Sequence, residues 1–333
     1  MNGVFSKIKR KIEYTYNKRA AYDYESQRGG WVKHEFPVFG DDSTASVFDP
    51  YVIQLEQGYR LFVSERKDNG IICSDSTDGA NWNQWKVSLE RGKMYSWEER
   101  VNRASVCKKD DNWLMWYTGQ SKENSAIGFA VSNDGVHFER VGSNPVLKPE
   151  KPYEKGAVMN PCVIWDAEEN IFKMWYAAGD QFEPDVLCFA SSVDGINWNK
   201  YGSNPVFRQS ENKYDQCKVG GCDILKANGK YYMFYIGYQN IDTARICVAE
   251  SENGLNSWIR YKGNPIISPE KGSWDSEAVY KPTVVLNRKE NKLMLWFNGR
   301  KKRCERIGYA ERKCHESEKE DRTFAKAKTG RDR

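Results

Sequence analysis

The sequence predicts an all-β chain folded as a five-bladed β-propeller closed by its own N-terminal strand. Three observations carry that expectation. One phrase of strands and turns recurs at a fixed period; five units of about four strands can be counted; and the last unit lacks an outer strand that an orphan strand before the first unit can supply.

The phrase is most legible as Met115-Trp116-Tyr117-Thr118-Gly119, then Ile127-Gly128-Phe129-Ala130, then Asp134-Gly135-Val136-His137-Phe138, then Asn144-Pro145-Val146. The apolar-aromatic runs read as buried strands and Asp-Gly as a tight turn before an aromatic outer strand. It returns around Met174-Trp175-Tyr176 and Met233-Phe234-Tyr235, with Asn-Pro pairs at 144, 204 and 264, a spacing of 60 residues. A β-sandwich has a similar strand count but does not account for that period.

Trp31 to Gly40 reads as the orphan strand, its Phe36-Pro37-Val38 resembling the Asn-Pro-Val that ends each later unit. Unit one opens at Asp49-Pro50-Tyr51-Val52 and is followed by a longer insert, Lys86 to Arg100. Units two to four open near Val101, Met159 and Lys218. The fifth opens at Val279 and ends at Ile307-Gly308-Tyr309-Ala310 without an Asp-Gly turn. The expected organisation is a basic lead-in over 1–30, the propeller over 31–312 and a charged tail over 313–333.

The 51 basic and 46 acidic residues leave a net charge of +5, a mixed surface that implies no nucleic-acid partner. Nine scattered cysteines lack a paired metal-binding spacing and read as reduced, buried thiols. Three histidines exclude a His-rich metal centre, so neither metal nor cofactor is expected. No run approaches the roughly 20 apolar residues of a membrane span, and no signal-peptide core is seen, so the expected location is the cytoplasm. The stretch Met1 to Arg19 is basic around Val4, Phe5, Ile8 and Ile12. A solvated lead-in is expected there, with a short helix in peripheral contact with the inner membrane as the alternative.

In a propeller the first strand of each blade lines the channel, and its mouth is where a ligand is expected. The residues at those strand starts are Asp49, Arg103, Asn160, the Gly220-Gly221 pair and Lys281. Glycosidic cleavage needs an acid to protonate the leaving oxygen and a carboxylate to attack or activate water. Asp49 and Glu277 are the expected catalytic pair. Arg66, Arg103, Asn160, Asp180, Asp223, Trp274, Tyr280, Lys281 and Arg300 are the expected substrate-binding residues, the basic ones for a carboxylate or phosphate and Trp274 and Tyr280 for stacking on a sugar. The Asp-Gly aspartates at 78, 134 and 194 are expected to support hairpins, and Trp116, Trp175 and Trp296 to be core.

On these residues the chain resembles the five-bladed propeller glycosidases: glycoside hydrolase families 43, 32 and 68 and the related family 130 phosphorylases. The resemblance covers about residues 31 to 312 and rests on the repeated phrase and on Asp49-Pro50, where those families keep a catalytic Asp. It implies Asp49 as nucleophile or general base. Two departures stand out. Where family 32 has Arg-Asp-Pro this chain has Asn102-Arg103-Ala104, and where that family has Glu-Cys-Pro it has Met159-Asn160-Pro161. An acid would then come from Glu277, Asp180 or Glu183. The expected function is cleavage or transfer of a glycosyl group, on an anionic or phosphorylated sugar. A non-catalytic glycan-binding propeller and a surface-polysaccharide assembly enzyme at the inner membrane are the rivals.

Overall fold

A computed structural model of the protein describes residues 2–41, 45–68, 70–181 and 184–314. Helix α1 (Asn2–Asn17) and a two-residue strand β1 (Val32–Lys33) precede the first blade. Blade one is β2 (Val47–Gln54), β3 (Tyr59–Glu65), β4 (Gly70–Ser76) and β5 (Lys86–Leu89). Blade two is β6 (Arg100–Lys109), β7 (Asn112–Gln120), β8 (Ser125–Ser132) and β9 (Glu139–Arg140). Blade three is β10 (Val158–Asp166), β11 (Ile171–Gly179), β12 (Pro184–Ser192) and β13 (Asn199–Lys200). Blade four is β14 (Lys218–Ala227), β15 (Lys230–Asn240), β16 (Thr243–Ser251) and β17 (Ile259–Arg260). Blade five is β18 (Ala278–Asn287), β19 (Lys292–Lys301) and β20 (Cys304–Lys313), completed by β1. The expected five-bladed propeller is the fold, and the expected strand from the N-terminus closes it.

Closure is narrower than the stretch Trp31 to Gly40 suggested. Val32 and Lys33 pair with Glu311 and Ala310 of β20, and Phe39 bridges Ile307. That bridge repeats Ile127 with Leu147 and Leu187 with Phe207, so Phe36-Pro37-Val38 holds the place of the later Asn-Pro phrases. In those phrases the Asn amide pairs with the third strand's backbone. Asn144 Oδ1 accepts the Phe129 N–H at 2.7 Å and its Nδ2 donates to the Phe129 carbonyl at 3.0 Å, and Asn204 and Asn264 do the same to Phe189 and Val248. The stretch Lys86 to Arg100 is not wholly an insert, because its first four residues are blade one's outer strand.

Second strands are apolar on both faces because each blade is covered by a neighbour on either side. Met115, Trp116 and Tyr117 are all at 0% exposure. Among the described residues the five largest apolar clusters each join two adjacent blades, one per seam. Three seams share a lock. The indole N–H of Trp116, Trp175 and Trp296 donates to the carbonyl of Gly195, Gly254 and Gly79 in the next blade, at 2.7–2.8 Å. These glycines have φ between 71° and 81°, and a Cβ there would stand 2.7–2.9 Å from the indole, so only glycine fits. The residue before each glycine, Asp78, Asp194 or Asn253, orders the turn: Asp194 Oδ1 accepts the N–H groups of Ile196 and Asn197 at 2.9 and 2.8 Å, and Asn253 Oδ1 those of Leu255 and Asn256 at 2.9 and 3.1 Å.

A second repeat clasps each of blades two to five across its width. Glu98, Glu154, Asp215 and Asp275, buried just ahead of the first strands, pair with Arg140, Lys200, Arg260 and Lys33 of the outer strands at 2.6–2.9 Å. Lys33 thereby does from β1 what the outer strands of blades two to four do for themselves. Where blade five has no Asp-Gly turn, its seam with blade four keeps a cavity of about 390 Å³, lined by Trp31, Leu225, Phe234, Ile266, Leu293 and Cys314 among others. The lead-in departs from the expected solvated stretch, since Arg10 of α1 and Lys18 just past its end form ion pairs with blades four and five. The tail from His315 to Arg333 lies outside the described residues.

Two outcomes follow from the seams. Trp175→Phe removes a hydrogen bond to a buried carbonyl and leaves a void, and should lower unfolding free energy in urea by about 2 kcal/mol; an unchanged midpoint would mean the lock carries no stability. Asp166, buried at the end of β10, joins Lys173 at 2.8 Å to Lys226 of blade four at 3.3 Å. Burial raises its pKa, but Lys173 outweighs that and the carboxyl is lowered to about 2. A lowered folded pKa contributes stability above the unfolded value of about 4 and loses it as pH falls towards 2. Asp166→Asn should therefore flatten the loss of thermal stability between pH 4 and pH 2, as melting curves would show.

Candidate active site

Every first strand carries a one-residue bulge near its start. The register slips between Phe48 and Tyr51, Asn102 and Ser105, Met159 and Cys162, Gly220 and Cys222, and Tyr280 and Thr283. At four of these bulges a non-glycine residue sits in the left-handed region: Asp49 (φ 56°), Arg103 (47°), Asn160 (53°) and Lys281 (55°). Such a conformation costs an L-residue on the order of 1 kcal/mol, and it persists where neighbours over-determine it. Here they do. The N–H of Asp49 is received by Asn298 Oδ1 at 2.7 Å, that of Arg103 by Ser64 Oγ at 3.0 Å, and that of Asn160 by Thr118 Oγ1 at 2.8 Å. Each acceptor belongs to the second strand of the preceding blade.

The bulges turn these four side chains towards one another. Lys281 Nζ lies 3.4 Å from Asp49 Oδ1 and donates to Asn160 Oδ1 at 2.7 Å, joining blades five, one and three. The Arg103 guanidinium, at 0% exposure, crosses the axis and donates through Nη2 to the carbonyls of Cys222 and Pro282 at 2.9 and 3.1 Å. Gly221 takes the fifth place, and a Cβ there would meet Asn160 at 2.9 Å. The glycine is what lets Asn160 reach the axis. Beneath this ring, Ser105, Cys162, Asp223 and Thr283 accept backbone N–H groups of Val163, Ile224, Val284 and Val52 from the following blade.

At the bulge positions the result is one buried carboxylate, Asp49, among donors. Asp49 is 4% exposed, and among the described residues its Oδ1 receives no hydrogen bond. Nε and Nη1 of Arg103 and the Nδ2 groups of Asn160 and Asn298 have no acceptor there either. Buried donors of that kind suit a ligand rich in oxygen, a sugar or an oxyanion.

Of the other expected residues, Arg66 and Tyr280 meet on Glu305, a mouth carboxylate that no sequence pattern signalled. Arg66 Nη2 lies 2.5 Å from Glu305 Oε2, and the Tyr280 hydroxyl donates to Oε1. Arg300 lies 3.9 Å from Glu277 and 5.8 Å from the Tyr280 ring centroid. Glu277 itself faces the N-terminal helix, receiving Lys18 Nζ at 2.6 Å and the Tyr14 hydroxyl at 3.1 Å. Burial raises its pKa, but Lys18 prevails and holds it below the ordinary range.

Three expected binding residues lie elsewhere. Asp223 is fully buried and takes Val284 N–H and the Thr283 hydroxyl, so it joins blades four and five. Asp180 is exposed at the β11–β12 turn, 3.9 Å from Lys155. Trp274 stacks on Phe297 and donates to the Glu35 carbonyl at 3.1 Å, committed to the body of blade five. Glu183 lies outside the described residues. Among those residues no group of three or more His, Cys, Asp and Glu could hold a metal ion. The seam cavity includes none of the ring residues.

Known proteins can be set beside this geometry. An uncharacterized protein of Mycobacterium tuberculosis is 28% identical over 201 residues, 56% of this chain and 64% of its own. A 1,2-beta-oligomannan phosphorylase of Thermoanaerobacter sp. is 31% identical over 157 residues, 46% of this chain and 47% of its own. The chain thus matches less than two thirds of the length of either curated relative. Among solved structures, a beta-1,2-mannobiose phosphorylase from Listeria innocua superposes with a TM-score of 0.64 at 14% identity, covering 86% of this chain and 97% of the other. That likeness is one of fold. The model of glycosyl hydrolases family 43 matches residues 43–313, from just ahead of Asp49 to the last residue of β20, and by that match the chain belongs to this family.

Proposed function

We propose that the protein is a carbohydrate-active enzyme that transfers a glycosyl group to phosphate at the propeller mouth, with Asp49 as the carboxyl that protonates the leaving oxygen. The observation that carries this reading is that, among the described residues, Asp49 is the one carboxylate at the bulge positions themselves, set among cations and amides, while Glu305 at the mouth is held by Arg66 and Tyr280. Hydrolysis needs a second carboxyl to attack or to activate water. Phosphate is itself the nucleophile, so one acid suffices.

The step balances simply. Asp49 gives its proton to the glycosidic oxygen as the C1–O bond breaks, a phosphate oxygen bonds to C1, and the phosphate proton restores the carboxyl. Lys281, 3.4 Å from Asp49 Oδ1, holds the phosphate, and Arg103 fixes the floor on which both stand. Arg66 beside Glu305 adds a fork-shaped donor at the rim. Two Thermoanaerobacter relatives carry the names 1,2-beta-oligomannan phosphorylase and beta-1,2-mannobiose phosphorylase, which makes a β-mannoside the substrate to try first. The setting is the cytoplasm, with the N-terminal helix at a membrane surface; no helix among the described residues is long and apolar enough to cross one.

With β-1,2-mannobiose and inorganic phosphate, the expected product is mannose 1-phosphate. Free mannose released without phosphate would make the protein a hydrolase. Asp49→Asn should cut kcat by about a thousandfold while leaving sugar binding intact. A glycan-binding propeller would bind sugar with no turnover in either form. Lys281→Met should raise KM for phosphate by about tenfold, and an effect confined to the sugar's KM would remove Lys281 from the phosphate site.

A further inference from the structure

Helix α1 lies at the mouth end of the ring. Its partners are Asp242, in the turn between β15 and β16, and Glu277, directly before β18. Arg10 binds Asp242 through both outer guanidinium nitrogens at 2.9 and 2.5 Å, and Asn17 Nδ2 donates to the same carboxylate at 2.8 Å. Tyr14 and Lys18 bind Glu277. At about 100° per residue, positions 10, 14 and 17 share one side of the helix, and Lys18 follows directly past its end. The polar side is therefore the one turned to the protein.

The opposite side is apolar and open. Ile8, Ile12 and Tyr16, at i, i+4 and i+8, are 51%, 65% and 72% exposed. Lys9 and Lys11 are exposed and flank this stripe to either side, and Arg19 is exposed just past the helix end. A surface helix of a globular protein does the reverse, burying its apolar stripe and leaving its charges in water. The single acid of α1, Glu13, lies 4.0 Å from Arg10.

We infer that this outward face is an interfacial anchor that seats the protein on an anionic bilayer, with its apolar stripe among the acyl chains and the two lysines at the headgroups. Charge decides between this occupant and a second copy of the chain. A two-fold contact through the stripe would bring two lysine-flanked faces, and so like charges, together, whereas an anionic leaflet attracts them. Because Glu277 stands four residues ahead of Lys281, the anchor holds the mouth beside the lipid. On the functional reading proposed above, the glycan taken by the site is then one carried on the membrane.

The test is flotation of the full chain with vesicles of phosphatidylglycerol and phosphatidylcholine, against phosphatidylcholine alone. The expected result is binding to the anionic vesicles only, weakened about tenfold or more in Ile12→Glu and in the milder pair Ile8→Ser, Ile12→Ser. Equal binding by these variants would reduce the contact to charge adsorption and overturn the anchor. So would a concentration-dependent dimer, in size-exclusion chromatography with light scattering, that the variants dissolve and vesicles do not compete with. Turnover separates the two readings. Ile12→Glu should match the parent on soluble mannobiose and lose rate only on a mannoside attached to lipid in those vesicles. Loss of vesicle binding with no difference on the lipid-borne mannoside would reject the substrate class while keeping the anchor. An inactive parent that still floats would refute the phosphorylase reading and leave the anchor standing.

Discussion

The bulge in the first strand of each blade is the constraint on which the site depends. A regular ladder would send successive side chains to alternate faces of the blade, into the seams between neighbours. One extra residue in the left-handed region breaks that alternation and turns Asp49, Arg103, Asn160 and Lys281 onto the axis. The conformation is held from outside the strand by Asn298, Ser64 and Thr118 of the neighbouring blades. The site's geometry is thus a property of blade packing. Ring closure and site assembly are one event.

Repetition with local exceptions explains the rest of the architecture. Trp116, Trp175 and Trp296 lock three seams onto glycine carbonyls, and an acid-to-cation clasp ties the edge of each of blades two to five to its centre. Blade five receives its clasp from Lys33 and its outer strand from the N-terminus, so the region that closes the ring also positions α1 over the mouth. The seam with no Asp-Gly turn is where the cavity of about 390 Å³ remains. A missing turn costs packing locally without breaking the ring, because closure rests on β1 with β20 and on the bridge from Phe39 to Ile307.

Much of this was legible in the sequence because it repeats. The period, the Asn-Pro phrase, the glycine after each aspartate and the strand starts at 49, 103, 160 and 281 are local patterns, and a repeat prints a local pattern several times. What stayed illegible was pairing at long range. Glu277 sits in the right blade for an acid, yet its partner Lys18 is 259 positions away. Glu305 carries no motif, and its place at the mouth comes from Arg66 and Tyr280. Asn298 had a signal that went unread: an amide at a position otherwise serine, threonine or apolar in the second strands. Asp223 is an expected binding residue, but it lies one layer below the ring, where blades are sewn together.

The account stands or falls on what Asp49 faces when a sugar is bound. The most direct measurement is a crystal structure of the protein with a β-mannoside and phosphate, or vanadate in its place. The account predicts the glycosidic oxygen within hydrogen-bond reach of the Asp49 carboxyl, about 3 Å, and the oxyanion on Lys281 Nζ, with the direct contact between the two residues loosened. A sugar held away from the bulge ring, with Asp49 and Lys281 still paired as they are here at 3.4 Å, would contradict it.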